Sequence, residues 1–240
     1  MVKISERLRT AAGLIGEGER LADVGTDHGY VPIYLVEQKR IPRAIAMDIR
    51  TGPLERAREH IRMYGMEDYI QTRLSDGVAA LKPGEADSIL IAGMGGGLVI
   101  HILESGRTVC EQAHGLVLQP QSELPKVRRF LAENGYVTER EEMVMEEGKY
   151  YPMMRVHYDA SAVSHTDSFT EEQELEFRYG KQLLTEKHPV LLAYLRWEAQ
   201  IQQDILTQLS GQPATEQIAA RIDEVKQILA QNARALAYYE

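Results

Sequence analysis

The sequence has almost no cysteine. Cys110 stands alone among 240 residues, which excludes an internal disulfide and any cysteine-rich metal centre, so no metal is expected. Long hydrophobic runs are also missing: no stretch approaches the roughly 20 apolar residues that a membrane helix needs. The segment from Met1 to Gly18 mixes Lys3, Glu6, Arg7 and Arg9 with isolated apolar residues and lacks the apolar block of a signal peptide. A cytoplasmic protein with no membrane contact is expected. Positive charge is short as well. Twenty-seven Lys and Arg against 36 Asp and Glu give a formal net charge of -9, the wrong sign for coating nucleic acid through nonspecific phosphate attraction. Any RNA contact must come from local patches, for which Lys3, Arg7 and Arg9, the Arg56/Arg58/Arg62 face, and Lys126, Arg128 and Arg129 are candidates, although each is also an ordinary solvated face.

What is present is a hydrophobic content of 44%, enough for a full core and a small second unit. Before Asp159, short apolar runs alternate with amphipathic stretches, the rhythm of βαβ units around a mostly parallel sheet. Strands are expected at Arg20 to Val24, Ala44 to Asp48, Ile70 to Leu74, Ser88 to Ala92 and Leu116 to Gln119, with helices at Tyr30 to Gln38, Pro53 to Tyr64 and Glu123 to Asn134. Val137 to Met145 and Met153 to Tyr158 read as two more strands around the turn Glu147-Gly148-Lys149. That turn leaves no room for a crossover helix, so the pair must be antiparallel. Residues 160 to 168 are small and polar, a linker between an α/β domain at 1–160 and a helical domain at 168–240. Thr170 with Gln173 resembles a capping box. Apolar residues then recur in steps of three and four, from Leu191 to Leu209 and, after Ser210-Gly211-Gln212-Pro213, from Ile218 to Leu236. Two such helices form an antiparallel coiled-coil hairpin, and Pro189 should break or kink the first near His188.

The chemistry gathers where strands end. The first strand leads through Asp23, Gly25, Thr26, Asp27, His28 and Gly29 into a helix at Tyr30. This first crevice at the carboxyl edge of an open α/β sheet is where ligands bind. The second strand ends at Asp48, beside Ile49, where a carboxylate can accept hydrogen bonds from both hydroxyls of a ribose. A dinucleotide would need G-x-G-x-x-G, yet Asp27 takes the middle glycine's place and would repel a diphosphate; it suits the cationic methionyl end of S-adenosylmethionine. Ser75, Asp76 and Gly77 follow the third strand, with Asp76 placed to accept from the adenine amine. Gly93-Met94-Gly95-Gly96-Gly97 puts four glycines in five residues, a costly choice unless the chain lies against something. This loop lacks the Asp/Asn-Pro-Pro-aromatic pattern that serves exocyclic amines, and so fits a ring-nitrogen acceptor, whose in-plane lone pair needs positioning more than a base. Asp27, His28, Met94 and Gly95 border the crevice, with Tyr30, Tyr150 and Tyr151 as aromatic surfaces suited to stacking. Gln119 and Pro120 meet the acceptor or simply turn the chain.

These motifs resemble the bacterial tRNA (adenine-N1)-methyltransferases called TrmK. The resemblance rests on Ser5-Glu6-Arg7-Leu8, the run Asp23 to Tyr30, Ala92-Gly93-Met94-Gly95-Gly96, Leu118-Gln119-Pro120-Gln121 and the coiled-coil tail. It implies a Rossmann-like class I methyltransferase sheet of order 3-2-1-4-5-7-6 with strand 7 antiparallel, S-adenosylmethionine as donor, and adenine 22 of tRNA as acceptor. Asp27, His28, Met94 and Tyr30 are then the catalytic candidates; Asp23, Gly25, Thr26, Gly29, Asp48, Ile49, Ser75, Asp76, Gly77, Gly93 and Gly95, together with Asp27, His28 and Met94, hold the cofactor; Lys3, Arg7, Arg9, Arg56 and Tyr151 face RNA. Arg178, Lys181, Lys187 and Arg196 on the tail are expected to grip the tRNA, with the protein a monomer or weak dimer. A methyltransferase for a small molecule or protein, a noncatalytic protein that keeps the cofactor fold, and, last, a nicotinamide dehydrogenase are the rival readings.

Overall fold

Seven strands carry the fold in the computed structural model, which describes residues 2–164, 168–213 and 215–240. They are β1 (Leu21–Val24), β2 (Ala44–Asp48), β3 (Ile70–Leu74), β4 (Ser88–Met94), β5 (Gly115–Pro120), β6 (Tyr136–Glu146) and β7 (Lys149–Tyr158). The sheet order is 3-2-1-4-5-7-6, with β1 to β5 mutually parallel and β7 antiparallel to both β5 and β6. Each strand lies within a few residues of its expected place except β7, which begins at Lys149 because the turn at Glu147 and Gly148, both at positive φ, is only two residues long.

Around the sheet lie α1 (Glu6–Gly13), α2 (Tyr30–Glu37), α3 (Thr51–Met63), α4 (Gly96–Ser105), α5 (Arg107–Cys110) and α6 (Leu124–Glu133). Successive side chains of a strand point to opposite faces, and the central strands are buried on both. Ile89, Ile91, Leu116 and Leu118 join a core with Val99, Ile102, Leu103 and Leu131 of α4 and α6. Leu90 and Val117 face the other way, toward Ala11, Ala12, Ile33, Leu35 and Ile61 of α1, α2 and α3. This two-sided burial is why the strands read as continuous apolar runs. Helices fill both layers, and the loops that carry charge and glycine are displaced to the carboxyl edge of β1, β2, β3 and β4.

The chain divides into two compact units, Met1–Asp167 and Ser168–Glu240. Of the expected linker, residues 160–162 form a 3-10 turn, and residues 165–167 lie outside the described residues. The second unit contains α7 (Glu171–Tyr179), α8 (Lys181–Thr185), α9 (Pro189–Ser210) and α10 (Glu216–Ala237). Thr170 and Gln173 close a capping box at the start of α7, and Pro189 occupies the first turn of α9, where its missing N–H costs nothing. Within the hairpin of α9 and α10 a buried carboxylate takes the place of apolar packing. Glu198 accepts from Arg178 (2.9 Å), Tyr179 (2.7 Å), Tyr194 (3.1 Å) and Asn232 (3.0 Å), and Asn232 also donates to the carbonyl of Leu195 at 2.9 Å. No helix among the described residues is long and apolar enough to cross a membrane.

Candidate active site

A cavity of about 300 Å³ opens between α1 and the carboxyl ends of β1 and β4, lined among others by Arg7, Asp23, Gly25, Asp27, His28, Tyr30 and Gly93. Three acids mark the adjoining half of the sheet edge: Asp23 in β1, Asp48 at the end of β2, and Asp76 in the turn after β3. Asp23 and Asp48 are buried and Asp76 is exposed. Desolvation by burial pushes the Asp23 carboxyl up to about 6, the negative charge of Asp48 adds to the rise, and the 2.6 Å hydrogen bond from Thr26 Oγ1 opposes it. Asp48 Oδ1 accepts from the Arg50 backbone N–H at 2.7 Å. Next to these acids the apolar side chains of Ile49 and Leu74 stand 59% and 54% exposed, flat hydrophobic surface beside hydrogen-bond acceptors.

Gly25 has φ +73°, and a Cβ there would come within 2.2 Å of Met94 Cε. Met94 therefore reaches from β4 across to the β1 turn and closes over a backbone that must stay bare. Gly93 produces a bulge: the β4–β5 register shifts between Ala92 and Met94, which turns the Gly93 N–H toward Gln119 Oε1 at 3.1 Å. The same oxygen accepts from Arg7 Nη1 at 2.8 Å, and the Arg7 guanidinium lies 5.4 Å from the centre of the Tyr151 ring. Chain segments more than a hundred residues apart thus meet at one amide.

Several of the expected site residues also make contacts of their own. Ser75 spends its hydroxyl on its own turn, donating to Gly77 O and accepting from Ala80 N. Gly29 is packed where a Cβ would touch Ala57 of α3 at 3.5 Å, and Gly96 lies so close to Ser122 O that a Cβ would stand 2.5 Å away; both serve packing. Gly95 caps α4 from an extended conformation. Asp27 is at the rim, with a side chain 66% exposed, and pairs with Arg56 at 3.0 Å and His28 Nε2 at 3.5 Å. The Tyr30 ring stacks on His28 (5.1 Å) and on His60 (5.0 Å), so part of its surface is already covered. His60, absent from the expected set, also approaches the His28 carbonyl with Nδ1 at 3.2 Å; a lone histidine in an amphipathic helix gives no sign of this in the sequence. Of the expected cationic rim, Arg9 pairs with Glu6 and Arg56 with Asp27, and Arg58 donates to Thr72, while Lys3 and Arg62 are exposed. On the helical unit Arg178 is consumed by Glu198 and Lys181 lies 3.6 Å from Glu176, which leaves Lys187 and Arg196 as exposed cations.

The family model described as "Methyltransferase domain" matches residues 4–154. A Bacillus subtilis protein named tRNA (adenine(22)-N(1))-methyltransferase is 34% identical over 226 residues, 93% of each chain. The chain belongs to this methyltransferase family. The crystal structure of the B. subtilis M1A22 tRNA methyltransferase TrmK superposes with a TM-score of 0.82 at 32% identity, covering 98% of this chain and 99% of that one. A Streptococcus pneumoniae protein solved in complex with S-adenosyl-L-methionine gives a TM-score of 0.78 at 31% identity, covering 95% and 100%. No group of His, Cys, Asp or Glu suited to a metal occurs among the described residues.

Proposed function

We propose that the protein transfers a methyl group from S-adenosylmethionine to N1 of adenine 22 in tRNA. The observation that carries this reading is the match over 93% of both chains to the B. subtilis enzyme of that name, and the edge geometry suits the cofactor. Two buried acids on adjacent strands, one held above its ordinary range by its neighbour and by burial, call for hydroxyl donors and positive charge. The bare turn at Gly25 admits close approach, and the exposed Ile49 and Leu74 offer apolar faces to a nucleoside base. A diphosphate would meet Asp27 at the turn.

In this reading Asp48 accepts from the ribose hydroxyls, Asp76 from the adenine amine, and Asp23 with the turn of Gly25 and Thr26 faces the methionyl end. Ser75, Gly77, Gly29 and Gly95 shape the backbone around these groups. When bound, S-adenosylmethionine supplies an electrophilic methyl on a sulfonium sulfur. N1 of adenine has an in-plane lone pair, so the chain's task is to present that nitrogen in line and to exclude competitors. Met94 and Gly93 form the wall at which the base is positioned, His28 and Tyr30 border it, and nearby carbonyl oxygens face the cationic product ring. Lys3, Arg7 with Tyr151, and Lys187 with Arg196 on the helical unit are the tRNA-facing groups, whereas Arg56, Arg9 and Arg178 are paired with carboxylates. We place the protein in the cytosol as a monomer or weak dimer.

The test is direct. Purified protein, S-adenosylmethionine and an unmodified tRNA transcript are incubated, and the RNA is digested and mapped by mass spectrometry. One 1-methyladenosine at position 22 is expected; methylation at another nucleotide, or none, refutes the reading.

A further inference from the structure

Gln119 is a fully buried side chain near the carboxyl end of β5. Its Oε1 takes two donors, Gly93 N–H at 3.1 Å and Arg7 Nη1 at 2.8 Å, and a carbonyl oxygen has two lone pairs. The amide cannot be turned over, since Nε2 in that place would face two donors. Its orientation is therefore fixed by the bulge at Gly93 and by α1, and Nε2 is left buried with no hydrogen-bond partner among the described residues. Leaving such a donor unsatisfied is costly, and a glutamate there would keep an acceptor for Gly93 and Arg7 without it. The two groups bonded to its oxygen, Arg7 and Gly93, both line the 300 Å³ cavity.

The position along the sheet identifies the side of the site. In the order 3-2-1-4-5-7-6, the acids Asp76, Asp48 and Asp23 occupy the ends of β3, β2 and β1. Met94, Gln119 and Tyr151 belong to β4, β5 and β7, the half away from those acids, and the Arg7 guanidinium above Tyr151 gives this half a stacked, cationic wall. We propose that Gln119 is a substrate-recognition residue: its Nε2, covered in the free protein, is uncovered when the base enters and donates a hydrogen bond to a ring nitrogen of the target purine other than the methylated one. With both lone pairs of Oε1 in use, the side chain cannot also accept from the base amine, so recognition runs through one purine acceptor, N3 or N7. The proposal rests on the methyl-transfer reading above.

Gln119→Glu tests the claim, because a carboxylate keeps an acceptor for Gly93 and Arg7 and replaces the Nε2 donor with an acceptor, its added charge meeting the Arg7 guanidinium. The variant should retain its melting temperature and bind S-adenosylhomocysteine within about twofold of wild type, while kcat/KM for tRNA falls about 10- to 100-fold. The companion measurement needs no variant. Wild-type enzyme is given tRNA with 3-deaza- or 7-deazaadenosine at the target position; one of the two should be slow by a similar factor, and Gln119→Glu should slow it no further. Wild-type kcat/KM in Gln119→Glu, full activity on both deaza substrates, or losses that multiply would each overturn the proposal. A parallel loss of S-adenosylhomocysteine affinity would move the donor to the cofactor and overturn it too. Wild-type enzyme inert on unmodified tRNA would sink the methyl-transfer reading itself, whereas activity there with an unaffected variant sinks only the role of Gln119.

Discussion

Replacing Asp23 with Asn should stabilise the free protein and cost it its cofactor. Burial raises this carboxyl from the ordinary 3.8 to about 6, with the charge of Asp48 contributing. Each unit is worth about 1.4 kcal/mol between protonation states, so holding Asp23 ionised at pH 7.5 costs the folded protein about 3 kcal/mol, an upper bound. The sign follows from linkage: the folded value lies above the unfolded one, so the contribution is fully present below about pH 4 and is lost as pH rises through about 6. Asn is isosteric, stays neutral, and still offers an oxygen to Thr26 Oγ1, which now bonds Asp23 at 2.6 Å. At about 2–4 °C per kcal/mol for a domain of this size, Asp23→Asn should melt up to about 6–12 °C above wild type at pH 7.5, with the gap shrinking toward pH 4.5. Glu85 and Asp87 do not blur the window, because hydrogen bonds from Arg73 and Arg20 hold both at about 2 and their contributions are lost only in more acid solution. The assay is thermal unfolding across pH 4.5 to 7.5 with calorimetry of S-adenosylhomocysteine binding, which should become undetectable in the variant. A variant that melts at or below wild type at pH 7.5, or a gap that does not change with pH, refutes the reasoning.

Gly25→Ala places a Cβ at φ +73° and against Met94. It should destabilise by about 1–2 kcal/mol from the left-handed backbone alone, and adding Met94→Ala should recover the steric part of any loss in S-adenosylhomocysteine affinity but not the loss in melting temperature; full recovery of both would show that the backbone is unstrained. Asp48→Asn should weaken S-adenosylhomocysteine by about 10- to 100-fold through the loss of charge-assisted hydrogen bonds with little change in melting temperature, and unchanged affinity in calorimetry would remove Asp48 from the ribose. Lys187→Glu with Arg196→Glu should raise the KM for tRNA and flatten its salt dependence at unchanged S-adenosylhomocysteine affinity; an unaltered salt slope would end the tRNA-facing role of the helical unit.

The strands and the acids at their ends were legible in the sequence because each depends on local pattern: alternation or continuous burial for β1 to β5, a glycine beside Asp23, and a short turn that forces β6 and β7 together; the order of the strands came only from the family resemblance. The cross-chain bonds were not. Nothing near Arg7 predicts that its guanidinium meets Gln119, since that contact is made by the docking of α1 on the sheet edge. Tyr30 reads as a free stacking surface until His60 is brought against it from α3. The same holds for charge: Arg56 and Arg178 look like phosphate ligands one at a time, and only folding supplies the carboxylates that occupy them. Glycine-rich loops are ambiguous for a related reason, as a bare backbone can admit a ligand, as at Gly25, or a neighbouring carbonyl, as at Gly96.

Glu198 draws its donors from α7, α9 and α10 at once, and this makes the tail indivisible. A stop codon or proteolytic cut before Asn232 would strand an anion in a closed interior, at about 1–3 kcal/mol for each missing donor, so half a tail should be worse folded than none. A relative with a shortened tail should therefore have an apolar residue where this chain has Glu198.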